Sequence, residues 1–250
     1  MTQGKRPVSI DKNGCSLLYD PQLLDNPLPV FLSHGIFDQA LSCQQITQSG
    51  RGQAWFIELT NLSTVLRSYQ RGGLVAKFNQ QTYIGWSPEG SRAYKEYRLL
   101  NQLCEMDLPV PRPIAASFCR WPLDVVPLYR AHILLQRIPN VQTLDHLLAE
   151  DSLDSAVWKG VGACIRRFHD MGVHHADLNA NNILLDDQQA VYLIDFDKSE
   201  IRKEKQQEAQ WKWENLLRLK RSLLKQQALR EEYFFSEENW ETLTSAYKGA

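Results

Sequence analysis

The 250-residue sequence is long enough for one large domain or two small ones, and its 43% hydrophobic and 23% charged residues exclude a wholly disordered chain. A formal net charge of −1 and a pI near 6.6 argue against a nucleic-acid partner. No apolar run of about 18 residues and no secretory leader occur, so we expect a cytosolic protein that does not span a membrane. The five scattered cysteines are expected to be reduced and structural.

The first half of the chain predicts an antiparallel sheet with one helix. Residues 1–44 show no sustained periodicity and contain several prolines, which predicts an N-terminal extension packed on the main body. The next segments, rich in β-branched and aromatic residues and separated by turn signals, predict strands. These strands are Ala54–Leu59, Thr64–Tyr69, Leu74–Phe78, Thr82–Trp86, Ile114–Phe118 and His132–Ile138. Apolar residues three or four apart predict a helix over Ser91–Cys104.

The second half predicts mainly helices. Pro139-Asn140 marks a boundary, which divides the chain into an N-lobe (45–138) and a C-lobe (139–250). Helices are predicted over Thr143–Glu150, Asp154–Met171 with Gly172 as its C-cap, and Lys203–Glu232. Between them, Ile183–Leu185 and Val191–Ile194 are short apolar runs joined by a polar turn, which predicts a β-hairpin.

The residues that bracket this hairpin have the pattern of a phosphoryl-transfer site. HHADLNANN, at residues 174–182, matches the catalytic-loop pattern H-x-D-L-x-x-x-N of kinases, and IDFD places Asp195 at the far end of the hairpin. Because the hairpin returns the chain to its start, Asn182 and Asp195 should lie side by side and hold Mg²⁺. Asp177 would then be the general base for the acceptor hydroxyl. We therefore predict an ATP-dependent, Mg²⁺-using kinase of α+β class, with a two-lobed protein-kinase-like fold of antiparallel-sheet N-lobe and mainly helical C-lobe.

Two structural alternatives apply to this segment. An aspartate-rich loop can be a solvated turn, although four residues in register before a matched IDFD argue against chance. His174 and His175 could be metal ligands, but no cysteine or further histidine lies nearby in sequence. A loop-bracing hydrogen bond from His175 is therefore the favoured interpretation.

The nucleotide-binding side is less clearly marked. Gly50 and Gly52 are the first two glycines of a phosphate-covering loop, but Trp55 occupies the place of the third, so a hairpin turn is the alternative. Two residues are candidates for the cation that contacts the phosphates. The favoured candidate is Lys77 in LVAKF, and Arg67 in TVLRSY is the alternative.

Glu96 is the predicted partner of the phosphate-contacting cation. It lies on the apolar face of the predicted helix, where a carboxylate requires a cation, and 19 residues separate it from Lys77. A surface pair with Arg92 is the structural alternative.

The chain also resembles a known family. VLRSYQRGGLVAKF, SRAYKEYRLL, LPVPRPIAA, HHADLNANNILLD and LIDFDKSEIR resemble segments of the 3-deoxy-D-manno-octulosonic acid (Kdo) kinases of Gram-negative bacteria, across about residues 45–225. The resemblance implies transfer of the ATP γ-phosphate to the 4-hydroxyl of Kdo in Kdo-lipid A, with Asp177 as the catalytic aspartate. It also implies a lipopolysaccharide precursor as partner and a location at the cytoplasmic face of the inner membrane.

The sequence departs from protein kinases in ways that favour a small or lipid-linked acceptor. Asp197 stands where the D-F-G motif of protein kinases has its glycine, and the absence of proline after Pro139 excludes an A-P-E motif. Only 55 residues follow Asp195. These are too few for the segments that hold peptide substrates. A kinase of another sugar or small alcohol, such as heptose or an aminoglycoside, and a nucleotide-binding pseudokinase remain as alternatives. Retention of a general base argues against the pseudokinase.

Charge is distributed unevenly along the chain. Ile201–Arg230 carries nine basic and three acidic residues, a net charge of +6. The segment could be a core helix with a solvated basic face, a nucleic-acid surface or a patch for anionic lipid. Because the expected acceptor is an anionic lipid, we predict peripheral, salt-sensitive attachment to an anionic membrane surface through residues that include Lys212, Arg218, Arg221 and Lys225.

Overall fold

The structure is a computed structural model that describes residues 7–12, 14–27, 42–46, 54–59, 61–69, 83–120, 127–202 and 208–249. It divides the chain into two compact units. The first comprises Met1–Asn101 and Arg112–Arg137, and the second comprises Gln102–Pro111 and Ile138–Ala250. The first unit is built on an antiparallel sheet and the second is mainly helical, so the predicted α+β fold with two lobes is confirmed.

The first unit contains a sheet in the strand order β1-β2-β7-β8-β5-β4-β3, with β6 paired to β8. Its strands are β1 (Val8–Lys12), β2 (Cys15–Tyr19), β3 (Ser42–Ile46), β4 (Ala54–Leu59), β5 (Leu62–Ser68), β6 (Tyr83–Ile84), β7 (Pro113–Arg120) and β8 (Leu128–Gln136). Helix α1 (Arg92–Glu105) buries Tyr97, Leu100 and Leu103, as its three-to-four spacing requires. The predicted strand at Leu74–Phe78 lies outside the described residues.

The N-terminal segment differs from the prediction, which placed no regular element before residue 44. Strands β1 and β2 form a hairpin, and β2 continues the sheet by pairing with β7. The burial pattern of β1 explains the difference. Four of its five residues are exposed, so the strand lacks the alternation of apolar and polar residues that marks a half-buried strand in sequence.

Two cysteines also differ from the prediction. Cys15 and Cys119 are directly opposite in the β2–β7 register and are joined by a disulfide. The expectation that all five cysteines are reduced is therefore wrong for this pair, which is 104 residues apart in sequence. Cys104 and Cys164 take no part in this disulfide. Cross-strand register, which the spacing of cysteines in sequence does not reveal, brings the two together.

The second unit has helices α2 (Leu144–Glu150), α3 (Ser155–Asp170), α4 (Glu208–Leu229) and α5 (Glu237–Lys248). Its short strands are β9 (Val141–Thr143), β10 (Val173–His174), β11 (Ile183–Asp186), β12 (Val191–Leu193) and β13 (Glu200–Ile201). The predicted hairpin is present, because β11 pairs antiparallel with β12.

Two glycines allow close backbone contacts in the second unit. A Cβ atom on Gly162 of α3 would lie 2.2 Å from the carbonyl oxygen of Leu243, so α3 and α5 approach closely there. Gly172 has φ +74° beyond the end of α3, and a Cβ there would lie 2.5 Å from the carbonyl oxygen of Arg202. The amide of Arg202 donates to the Gly172 carbonyl at 2.8 Å. This hydrogen bond fixes the chain just before β10, which leads into the loop that contains Asp177.

Candidate active site

The loop that contains Asp177 is shaped by its own asparagines. Asn179 Oδ1 accepts hydrogen bonds from the amides of Asn181 and Asn182, at 2.9 and 3.2 Å, and thereby closes a single helical turn. The Asn182 side-chain amide donates to the Asp177 carbonyl at 2.9 Å. Asp177 and Asn182, five residues apart, are thus brought together in a compact loop, with Asn182 held against the backbone of Asp177.

His175 joins this loop to the segment that contains Asp195. Its ring is 2% exposed, its Nδ1 accepts from the Asp177 amide at 3.2 Å, and its Nε2 donates to the Ile194 carbonyl at 2.9 Å. Burial lowers the pKa of His175, so the ring is neutral with its proton on Nε2. Both ring nitrogens are engaged in hydrogen bonds. The arrangement matches the bracing interpretation of His175 and not the metal-ligand alternative.

The hairpin brings Asn182 and Asp195 to the same end. Ile183 pairs with Leu193 in the β11–β12 register, and the amide of Ile194 donates to the Asn182 carbonyl at 3.0 Å. Asp195, the next residue, has φ +63°, a left-handed conformation that is sparsely populated outside glycine. The chain therefore leaves the direction of strand β12 at Asp195, where the Asp195-Phe196-Asp197 segment begins.

Phe196 anchors the residue that follows. It is 1% exposed and packs against His175 and Phe168, with ring centroids 4.7 and 5.8 Å apart. In addition, Ser199 Oγ accepts from the Ala176 amide at 3.0 Å. The two sequence motifs are therefore one packed structure.

The chemistry of Asn182 and Asp195 fits Mg²⁺. The Asn182 amide nitrogen donates a hydrogen bond to the Asp177 carbonyl, which leaves Oδ1 as the atom that can coordinate a metal ion. Asp195 supplies carboxylate oxygens. Mg²⁺ prefers oxygen ligands and is commonly held by one or two side chains together with substrate phosphates. Among the described residues, no group of three or more His, Cys, Asp or Glu side chains forms a separate metal cluster.

Helix α4 braces the loop from behind through Asn215. Its side-chain amide donates to the His175 carbonyl at 2.7 Å, so its Oδ1 accepts from His169 Nε2 at 3.1 Å. His169 Nδ1 then accepts from the Tyr247 hydroxyl at 2.8 Å. Burial lowers the pKa of His169 to about 4, which agrees with this neutral tautomer. A chain of hydrogen bonds, buried at His169 and Asn215, thus links α5, α3 and α4 to the loop that contains Asp177.

The same face of α4 reaches Asp177 itself. Arg218 donates from Nε and Nη2 to Asp177 Oδ1, at 3.1 and 2.5 Å. Ser222 Oγ accepts from the Ala180 amide at 3.4 Å. Asn215, Arg218 and Ser222 are spaced i, i+3 and i+7, so one helix face carries all three contacts. Sequence reasoning assigned Arg218 to a basic surface, and the structure adds a contact with Asp177.

In the first unit, Glu96 pairs with Arg67. The Glu96 side chain is 1% exposed and accepts from Arg67 Nη2 at 2.7 and 2.9 Å and from the Tyr69 hydroxyl at 2.5 Å. Arg67 lies on β5, the third strand counted from β3 through β4. The sequence prediction that Glu96 requires a cation is thus met by the alternative candidate. The favoured candidate Lys77, and with it Gly50 and Gly52, lies outside the described residues, so their roles stay predictions.

Sequence reasoning missed the roles of Asn215 and Arg218. The signal for Asn215 was present, because a polar residue interrupts the apolar face formed by Leu216, Leu219 and Leu223. The same signal identified Glu96. Arg218 gave no such signal, since it is one of several basic residues on a half-exposed helix.

Comparisons with known proteins match most of the chain to one kinase family. The model of the lipopolysaccharide kinase (Kdo/WaaP) family matches residues 41–247. A 3-deoxy-D-manno-octulosonic acid kinase from Photobacterium damsela subsp. piscicida is 38% identical over 231 residues, 91% of this chain and 91% of the relative. The kinase of that name from Vibrio parahaemolyticus serotype O3:K6 is 38% identical over 234 residues, 91% and 92% of the two chains. That from Mannheimia succiniciproducens is 43% identical over 205 residues, 80% and 82%.

Proposed function

Because the chain belongs to the lipopolysaccharide kinase (Kdo/WaaP) family, we propose that it transfers the ATP γ-phosphate to the 4-hydroxyl of Kdo in Kdo-lipid A, a step of lipopolysaccharide core biosynthesis. The observation that carries the proposal is the packed arrangement of Asp177, Asn182 and the segment containing Asp195 around the buried His175. The names of the relatives supply the acceptor.

Asp177 is the proposed general base. Its carboxylate accepts the proton of the acceptor hydroxyl while that oxygen forms a bond to the γ-phosphorus, and the bond from the γ-phosphorus to the β–γ bridging oxygen breaks to release ADP. His175 and Asn182 hold the backbone of Asp177 on both sides, which keeps the base in position without reorganisation. Asn182 and Asp195 are proposed to hold Mg²⁺, which when bound neutralises phosphate charge.

Arg67 is the proposed phosphate-contacting cation. In kinases this cation lies on the third strand and pairs with a helix glutamate, and Arg67 on β5 does pair with Glu96. A guanidinium can donate to the carboxylate and to a phosphate at once. Gly50 and Gly52 are proposed to cover the phosphates.

Labelled ATP with Kdo-lipid A and with a panel of small alcohols tests the function. We expect transfer to Kdo-lipid A, and Asp177→Ala should lower turnover by about 100-fold or more while ATP binding stays nearly intact. Transfer to heptose or an aminoglycoside instead would reassign the acceptor. ATP binding without any transfer would identify a pseudokinase, and near-full activity of Asp177→Ala would refute the catalytic assignment.

A peripheral attachment to the cytoplasmic face of the inner membrane is also proposed. In the part of the chain that the structure describes, no helix has the length and apolar character needed to span a bilayer. The exposed face of α4 combines the apolar side chains of Trp213 and Leu224, 41% and 45% exposed, with Arg221 and Lys225. Basic residues near an anionic surface each contribute about 1 kcal/mol of attraction.

Several other basic residues of the +6 segment serve the protein itself. Arg218 contacts Asp177, Lys220 pairs with Glu237, and Arg230 pairs with the buried Asp145. They are unsuitable for a membrane test.

The membrane test therefore substitutes Arg221 and Lys225 with Gln and leaves Arg218 unchanged. Vesicles with anionic lipid should sediment the wild type at low salt. About 0.5 M salt should release it, because added salt shortens the distance over which charges attract. The double variant should bind vesicles more weakly yet phosphorylate detergent-dispersed acceptor normally. Sedimentation that neither salt nor the substitutions alter would contradict the attachment.

A further inference from the structure

Arg218 has donor groups that its contact with Asp177 does not use. A guanidinium carries five N–H groups. The Nε–H and one Nη2–H point to Asp177 Oδ1, which leaves the Nη1 pair and the second Nη2–H. Within the described residues, Arg218 makes no other hydrogen bond or ion pair, and its side chain is 47% exposed. The Nη1–Nη2 edge is therefore available to a second anion while the first contact is kept.

The position of this edge is fixed by the helix that carries it. Asn215 and Ser222, one turn to either side of Arg218, bond to the His175 carbonyl and the Ala180 amide. Both are loop atoms that flank Asp177. The guanidinium is therefore held beside the general base by a braced helix face and not by a mobile surface segment.

An acceptor hydroxyl that Asp177 deprotonates must lie next to this guanidinium. We propose that the Nη1–Nη2 edge of Arg218 binds a carboxylate on the acceptor, close to the hydroxyl that receives the phosphate. The inference rests on the proposed function. In Kdo the carboxylate is attached to C2, which is separated from C4 only by the deoxy carbon C3, so both groups lie within one sugar ring.

Electrostatics supports an acidic acceptor at this point. A carboxylate acceptor and the Asp177 carboxylate carry like charges and repel each other. A guanidinium in contact with Asp177 offsets that repulsion. Its planar edge also matches the two oxygens of a carboxylate in a bidentate pair, which a lysine ammonium does not.

The test compares two acceptors in detergent: a Kdo-containing lipid A precursor and the same compound with the carboxylate converted to its methyl ester. Wild type should phosphorylate the acid with a kcat/KM higher by about tenfold to a hundredfold, the usual range for a hydrogen bond to a charged group. Arg218→Gln should lose most of this preference, mainly through a higher KM for the acid. Arg218→Lys should retain part of it, because lysine keeps the positive charge but lacks the planar pair of N–H groups that binds both carboxylate oxygens.

A matched control is available in the same unit. Arg166 pairs with Asp170 at 3.4 Å, and the side chains are 44% and 60% exposed, close to the 47% and 51% of Arg218 and Asp177. Arg166→Gln should leave the preference for the acid unchanged.

The outcomes separate the inference from the proposed function. If wild type phosphorylates neither Kdo compound, the proposed acceptor is wrong. If wild type prefers the acid and Arg218→Gln keeps the same ratio of the two kcat/KM values, the inference is wrong although the function stands. An equal fall in kcat for both acceptors would show that Arg218 only positions Asp177, which also overturns the inference.

Discussion

Asn215 offers a quantitative test of the brace behind the loop that contains Asp177. Asn215→Leu keeps a side chain of similar shape but removes the donor to the His175 carbonyl and the acceptor for His169 Nε2. His169 and His175 are 1% and 2% exposed, so water cannot easily replace these partners. An unsatisfied buried polar group costs about 1–3 kcal/mol, so the two together predict a loss of about 2–6 kcal/mol in the free energy of unfolding.

The same substitution should slow the reaction. A displacement of about 1 Å in a catalytic group can lower the rate by about 100-fold. Urea unfolding followed by tryptophan fluorescence would measure the stability, and steady-state kinetics would measure kcat and the KM for ATP. We expect kcat to fall by about tenfold to a hundredfold while the KM for ATP changes less, because the lost hydrogen bond holds the backbone beside Asp177 and Arg67 is unaltered.

Leu243→Ala is the control for a general loss of stability. Leu243 is fully buried on α5, and truncation of a buried leucine costs about 2–5 kcal/mol, but none of the loop hydrogen bonds involves it. Its kcat should stay close to wild type at temperatures where the protein is folded. Equal losses of kcat in the two variants would refute the brace, as would an Asn215→Leu protein with normal stability and turnover.

Three further predictions follow from the site and its surroundings. Asp195→Ala should abolish Mg²⁺-dependent nucleotide binding, measured by titration calorimetry, and nucleotide affinity that still responds to Mg²⁺ would place the metal elsewhere. Arg67→Met should raise the KM for ATP and lower kcat more than Lys77→Met does, and the opposite ranking in the same kinetic assay would move the phosphate contact to Lys77. Burial lowers the pKa of His169 to about 4, against about 6.5 in the unfolded chain, so its stabilising contribution is complete above about pH 6.5 and decreases as the pH falls toward 4. This residue alone should reduce the free energy of unfolding by about 2 kcal/mol between pH 7 and pH 5. His169→Gln should flatten the pH dependence in urea titrations, whereas the same change at the exposed His146 should not.

The sequence alone determined the elements whose signals are local. The catalytic-loop pattern and IDFD lie within 24 residues, and the hairpin between them follows from two apolar runs and a polar turn, so their proximity could be deduced from chain geometry. The helix that carries Glu96 and its need for a cation were equally local, since both depend on positions along one helix.

Only the tertiary structure decided which distant residues meet. Local strings offered both Lys77 and Arg67 as the partner of Glu96, and the tertiary structure brings Arg67 of β5 into contact with it. Arg218 is 41 residues from Asp177, and its role depends on the rotation of α4 against the loop. Cross-strand register likewise decided the disulfide. Such contacts are fixed by the packing of whole elements, where a shift of one residue in register or about 100° in helix rotation selects a different partner, and no local pattern records that choice.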